Sequence, residues 1–158
     1  MQTILFLCTG NTCRSPMAEA IARDWIEGET SDLDPNATFV ASAGLFAAEG
    51  SPVSAETLQS LEKLNIEHRG ASKQVTPEMI RNATLVLCMT AEHRASAIHL
   101  AGGTEDLNHK IVLLDKDGDI ADPIGMSQET YDLLARQMMQ LMPERLTVLC
   151  SPSGGSVT

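Results

Sequence analysis

No apolar run in this sequence approaches the roughly 20 residues that a bilayer-crossing helix needs, so no membrane partner is expected. The apolar start, Met1 to Leu7, lacks a basic flank and a small-residue cleavage site. It reads as a strand and not as a signal peptide, and a cytoplasmic location follows as the default. Basic residues are scarce: 11 Lys and Arg stand against 21 Asp and Glu, a net charge of −10. Nucleic acid is thereby excluded as the main partner, because phosphate backbones select basic faces. A small anion is not excluded, since a few backbone N–H groups and one Arg can make a pocket locally positive.

Cysteine is sparse as well. Cys8, Cys13, Cys88 and Cys150 form no CxxC pair, and His68, His93, His99 and His109 stand at no ligand spacing from them. A secreted disulfide scaffold and a zinc site are both unexpected. Asp115, Asp117 and Asp119 alternate as in a calcium loop, but the twelfth position of that frame is Met126 and not Glu. No metal or cofactor is therefore expected. Internal repeats and linkers are missing too. The chain reads as one domain over residues 1–148 with a Ser/Gly-rich, flexible tail over 149–158, monomeric by default.

What is present is alternation of apolar strands and amphipathic helices. Strands are expected at Gln2–Leu7, Thr38–Ser42, Thr84–Thr90 and Ile111–Leu114. Helices are expected from Ser15-Pro16, with Ser15 as the cap and Glu19 in the first turn; over Ser54–Asn65, with Ala55, Leu58, Leu61 and Leu64 facing inward; from Thr76-Pro77; over Ala91–Ala101; and over Ser127–Leu141. The fold class is α/β: a three-layer sandwich of four parallel strands flanked by helices, joined by right-handed crossovers. Ligands of such sheets bind beyond the carboxyl ends of the strands.

At the first such end stands Cys8-Thr9-Gly10-Asn11-Thr12-Cys13-Arg14-Ser15. Strand, Gly-containing loop and helix make a ready anion site, because loop N–H groups converge and the helix adds its positive end. Cys8 lies at the base of this cradle. Arg14 can clamp two phosphate oxygens with its planar fork. The same field favours thiolate over thiol at Cys8, and Ser15 can donate a hydrogen bond to it. A thiolate facing bound phosphorus is an activated nucleophile.

CTGNTCRSPMAEA resembles the signature of the low-molecular-weight protein tyrosine phosphatase family. The likeness extends to Ser42-Ala43-Gly44, to Leu85–Thr90 and to Asp122-Pro123, in order and spacing over about residues 2 to 146. It implies hydrolysis of phosphorylated protein side chains in two steps through a phosphocysteine, with no cofactor. Carried over by motif, Cys8 is the nucleophile and Arg14 holds the phosphate. The N–H groups of Thr9, Gly10, Asn11, Thr12, Cys13 and Arg14 bind its oxygens. Asn11 takes a left-handed loop conformation with help from Ser42, and Asp122 is the acid and then the base. Cys13 is either a trap for oxidised Cys8, as often in the family, or a small buried hydrophobe.

Departures from the family pattern are informative. Gly70 stands where many members carry a loop-bracing His, and His68 is two residues early. Ile124 follows Asp-Pro where tyrosine-specific members carry an aromatic residue. Phe46 either supplies another wall or belongs to the core. Thr12 matches the family's phosphoarginine members, whereas tyrosine-specific ones have an aliphatic residue there. Phosphoarginine is thus the favoured substrate and phosphotyrosine the next. Three other readings remain at this point. A thioredoxin-coupled arsenate reductase would need a relay cysteine near Cys88, but Ala95 stands where its partner would fall. A phosphopeptide-binding module would need a dead site. A redox sensor using Cys8 and Cys13 could coexist with catalysis.

Overall fold

The computed structural model describes residues 1–151. Its four-stranded parallel sheet runs in the order β2-β1-β3-β4, with β1 Gln2–Cys8, β2 Thr38–Gly44, β3 Leu85–Cys88 and β4 Ile111–Leu113. The α/β sandwich expected from the alternation is the observed fold. Strand β1 is central, so Ile4, Phe6 and Cys8 face one core while Leu5 and Leu7 face the other. Burial on both sides is why this strand is a continuous apolar run and not an alternating one.

Helices α1 (Arg14–Glu27), α2 (Ala55–Lys63) and α6 (Gln128–Cys150) pack on one another, and α1 and α6 line the Phe6 side of the sheet. Residues from α3 (Pro77–Asn82) and α4 (Ala91–Leu100) close the Leu7 side through Ile80 and Ala97; a one-turn helix, α5 (Glu105–Asn108), precedes β4. The chain leaves β1 toward β2 on one side and later fills β3 and β4 on the other. The carboxyl end of β1 is therefore the switch point of the sheet, where a crevice opens.

Several expectations are corrected. Ser15 does not cap α1; the helix starts at Arg14, Cys13 stands at its cap without a side-chain bond, and Ser15 is fully buried inside the first turn. Leu58 of α2 is 43% exposed, and Thr57 and Ser60 are buried in its place. The Ser60 hydroxyl donates to Asp132 Oδ1 at 2.7 Å, so a polar helix–helix contact sets the rotation of α2. Helix α6 continues nine residues past Leu141 to Cys150, through Pro143. A Pro inside a helix costs about 3 kcal/mol. Full burial of Met142 and Leu146 on either side of it offsets that at about 1.5–3 kcal/mol each. Arg145 adds hydrogen bonds to the carbonyls of Leu113 and Leu114. Of the tail expected over 149–158, Leu149 and Cys150 belong to α6, and residues 152–158 lie outside the described residues. No helix among the described residues is long and apolar enough to cross a membrane.

Candidate active site

The segment between β1 and α1 wraps around the Cys8 thiol. Cys8 Sγ lies 2.9 Å from Ser15 Oγ and accepts the Asn11 backbone N–H at 3.3 Å. Asn11 has φ 57°, the left-handed region that Asn enters more readily than most side chains. Its side chain accounts for the strain being held. Asn11 Nδ2 donates to Ser15 Oγ at 2.8 Å and to Ser42 Oγ at 2.9 Å, while Asn11 Oδ1 accepts the Lys73 backbone N–H at 3.0 Å. Both side-chain polar atoms and the backbone N–H of a residue only 3% exposed are thus paired. The Lys73 amide braces the loop from the segment in which many members of the family carry a His, and His68 contacts the Gly70 carbonyl.

Behind this layer is a second one. The Ser42 hydroxyl donates to Glu19 Oε1 at 2.8 Å, and Glu19 Oε2 pairs with Arg23 one turn along α1. Glu19 is 5% exposed, so this carboxylate is buried against its counter-ion and does not serve as a surface charge at the helix start. Gly44, at the end of β2, presses on the loop from the side. A Cβ there would meet the Thr9 carbonyl at 2.5 Å and the Asn11 nitrogen at 3.0 Å.

Arg14, 5% exposed, is fixed by donating from one terminal nitrogen to the Ile120 carbonyl at 2.9 Å. Its other terminal nitrogen lies 3.6 Å from Asp122 Oδ2. The structure therefore brings Asp122 from the loop between β4 and α6 to the guanidinium of the phosphate-loop segment. Asp122 is 44% exposed, and its Oδ1 accepts the Ile124 N–H. Asp119 is turned elsewhere and accepts the Ala91 N–H at 2.8 Å.

The remaining predicted residues fall around this centre. Thr9 is exposed and Gly10 half-buried, Gly10 being free of the close contacts that constrain Gly44. Thr12 is half-buried; its carbonyl accepts the Ser54 N–H at 2.9 Å, and its hydroxyl approaches Cys13 Sγ at 3.8 Å. Cys13 is buried 3.4 Å from the Tyr131 hydroxyl, and burial together with that thiol pushes the phenol's pKa up. Phe46 is no core residue: it is 85% exposed, and its N–H donates to the Thr9 carbonyl at 2.9 Å. Cys88 is fully buried in β3, where desolvation pushes its thiol up to about 12, which removes it as a relay thiol.

One neighbour went unnoticed in the sequence. His93 Nε2 lies 2.8 Å from Thr9 Oγ1, across 84 positions. Burial first and the Arg14 charge second lower its pKa, opposed by Glu92, Asp119 and Asp122. The available signal was its place on the helix that leaves the carboxyl end of β3, beside the phosphate-loop segment. Among the described residues no group of three or more His, Cys, Asp or Glu is placed to hold a metal ion.

Comparison with known proteins settles the family. The model of the low molecular weight phosphotyrosine protein phosphatases matches residues 3–150. The chain belongs to this family. Among its relatives, the protein-arginine-phosphatase of Geobacillus stearothermophilus is 40% identical over 145 residues, covering 90% of this chain and 92% of that one. A low molecular weight protein-tyrosine-phosphatase, PtpB of Staphylococcus haemolyticus, is 34% identical over 139 residues, 88% and 94% of the two chains. A solved YwlE arginine phosphatase variant carrying a phosphorylated active-site serine superposes with a TM-score of 0.84 at 29% identity, over 96% of this chain and 97% of that one. The protein is a phosphatase.

Proposed function

We infer that the chain, as one catalytic unit over residues 1–148, hydrolyses phosphoarginine in proteins in preference to phosphotyrosine. Cys8 Sγ attacks phosphorus while the loop amides and Arg14 hold the three other oxygens. The P–N bond breaks, and the Asp122 carboxyl gives its proton to the departing guanidinium nitrogen. Asp122, now a carboxylate, takes a proton from water whose oxygen attacks the phosphocysteine. The S–P bond breaks, phosphate leaves, and the thiolate returns beside Ser15. The 3.6 Å approach of Asp122 to Arg14 supports this pairing of roles, since it brings a solvent-exposed carboxyl group beside the guanidinium assigned to the phosphate.

The substrate assignment rests on Thr12. Among the described residues its hydroxyl has no partner closer than Cys13 Sγ at 3.8 Å, so it remains available to a ligand. A guanidinium leaving group has N–H donors, and an apolar wall would leave them unpaired at a cost of about 1–3 kcal/mol. Ile124, 67% exposed after Asp122-Pro123, offers no ring to stack on a phenol; Phe46 is the aromatic residue at the rim. The 40% identity to a protein-arginine-phosphatase supports the same reading.

Thr12→Ile tests it on phosphoarginine and phosphotyrosine peptides side by side. The expected result is a fall in kcat/KM for phosphoarginine of about 10-fold, or ~1.4 kcal/mol, with phosphotyrosine spared or improved. Wild-type protein without phosphoarginine activity, or a variant whose preference does not move, assigns the chain to phosphotyrosine.

A further inference from the structure

His93 is 7% exposed; among the described residues its side chain makes one hydrogen bond, from Nε2 to the Thr9 hydroxyl at 2.8 Å, and its Nδ1 is buried without a partner. A neutral imidazole carries its proton on one nitrogen or the other. With the proton on Nδ1, a buried N–H would be left with no acceptor. With the proton on Nε2, that N–H is paired and only an acceptor lone pair is idle. Orphaned buried donors are the rarer and costlier of the two. A second proton is opposed by burial and by Arg14 of α1, while Glu92 of α4 and Asp119 and Asp122 of the late loop pull the other way; the net direction is toward the neutral ring.

The location gives this contact a consequence. Thr9 directly follows the nucleophile and is exposed at the mouth of the site. A hydroxyl that accepts from Nε2–H keeps its own hydrogen turned away from the ring. The same short stretch of chain also ties down the other loop: the Met89 carbonyl accepts the Ile120 N–H at 2.8 Å, and the Ala91 N–H reaches Asp119. The start of α4 thus holds the phosphate loop through His93 and the acid-bearing loop through residues 89–91.

We propose that His93 is a positioning residue for this phosphatase: as the Nε2–H form it accepts no proton from Thr9 but donates to it, fixing the Thr9 hydroxyl as an outward donor to the bound phosphorylated group. The proposal rests on the loop around Cys8 being the catalytic one, and not on the choice between phosphoarginine and phosphotyrosine.

Nitrogen-15 NMR of the histidine-labelled full chain reads the tautomer without any turnover. It should report Nε2 protonated and Nδ1 bare at neutral pH; an Nδ1–H ring would overturn the proposal even if catalysis proceeds as described. Kinetics with an aryl phosphate supply the second test. His93→Ala and Thr9→Val should each lower kcat/KM by about 3–10-fold, the worth of one hydrogen bond, and the double variant should lose no more than the worse single one. His93→Gln, whose amide can donate to Thr9, should recover to within about 3-fold of wild type. Additive losses, or a Gln variant as impaired as the Ala variant, would make His93 a packing residue. Should His93→Ala not fold, the tautomer and the Gln and Thr9→Val variants still decide. Unchanged turnover in all variants together with an Nε2–H ring in the wild type would overturn the positioning role and point to a fault in the assignment of the catalytic loop.

Discussion

The two loops that meet at Arg14 are built differently. The segment from Cys8 to Ser15 is held by partners from along the whole chain, among them Ser42, Phe46, Ser54, Lys73, His93, Ile120 and Tyr131. Asn11, Arg14 and Ser15 within it are at most 5% exposed. The segment from Asp115 to Ser127 is held chiefly by two buried side chains, Ile120 and Pro123, with exposed residues between and beyond them. The division matches the chemistry. Groups that stabilise fixed negative charge work best when preorganised and dry. A group that must give up a proton, take another from water and make way for a leaving group needs contact with solvent. On the proposed mechanism, phosphate binding is a property of the rigid half, and proton transfer belongs to the loose half.

The largest effect that would break this division is at Cys8. Cys8→Ser should abolish turnover while leaving phosphate affinity largely intact, because the loop amides and Arg14 remain. Rapid-quench assays and phosphate titration read the two separately, and substantial residual hydrolysis would sink the phosphocysteine route. Arg14→Lys should be severely impaired in both measurements, since a point charge cannot replace a planar fork that also holds the Ile120 carbonyl.

Next comes Asp122. Asp122→Asn should lose about 10²–10⁴-fold in rate on poor leaving groups, and the loss should shrink as the leaving group needs its proton less. Phosphate affinity should hardly change. Stability should change by less than about 0.5 kcal/mol, as for other exposed substitutions. A variant that unfolds or no longer binds phosphate would show the late loop to be as structural as the phosphate loop.

The same contrast explains what the sequence discloses. The residues of the proposed chemistry stand in short motifs that a sequence displays: Cys-x5-Arg, the apolar β1 before it, and Asp-Pro. The partners that brace them do not, because they come from far along the chain and look like something else. Glu19 has the pattern of a surface acid in a helix start, yet it is buried on Arg23 and Ser42. Lys73 contributes a backbone N–H, which no side-chain pattern reveals. Periodicity assigned Leu58 to the core because it weighs apolar residues alone, whereas Thr57 and Ser60 take that face and Ser60 is satisfied by Asp132 and Gln128. The length of α6 was hidden by the same bias: Met142 and Leu146 bury fully around a Pro that ordinarily ends a helix.

A stability measurement sharpens the comparison from the rigid side. Asn11→Ala removes the donors to Ser15 and Ser42 and the acceptor for Lys73, and it puts Ala at φ 57°. Left-handed backbone costs a non-Gly residue about 1–2 kcal/mol, and each lost buried hydrogen bond about 0.5–1.5 kcal/mol. Urea denaturation should therefore show a loss of about 2.5–6.5 kcal/mol. Asn11→Gly, which relieves the backbone but not the bonds, should recover part of it. Equal losses for Ala and Gly would assign the whole effect to the side-chain bonds.

The smallest expected effect distinguishes two neighbouring carboxylates. Asp119 accepts the Ala91 N–H at 2.8 Å, a contact that ties the late loop to the start of α4. Asp119→Asn keeps an oxygen for that N–H and removes only the charge. Such a charge at an exposed helix start is worth about 0.3–1 kcal/mol, so turnover should fall by no more than about 5-fold on any leaving group. The charge also raises the pKa of His93, which burial and Arg14 lower. Removing it should therefore lower that pKa further, and a titration followed by NMR should show His93 staying neutral to a more acidic pH than in the wild type. The two readouts separate the possibilities. A small kinetic loss with the downward His93 shift fits Asp119 as a tether of the late loop. A loss larger than that of Asp122→Asn, growing with the basicity of the leaving group, would move the acid from Asp122 to Asp119. It would also require the late loop to turn its other carboxylate toward the phosphate, against the hydrogen bond that Asp119 now makes.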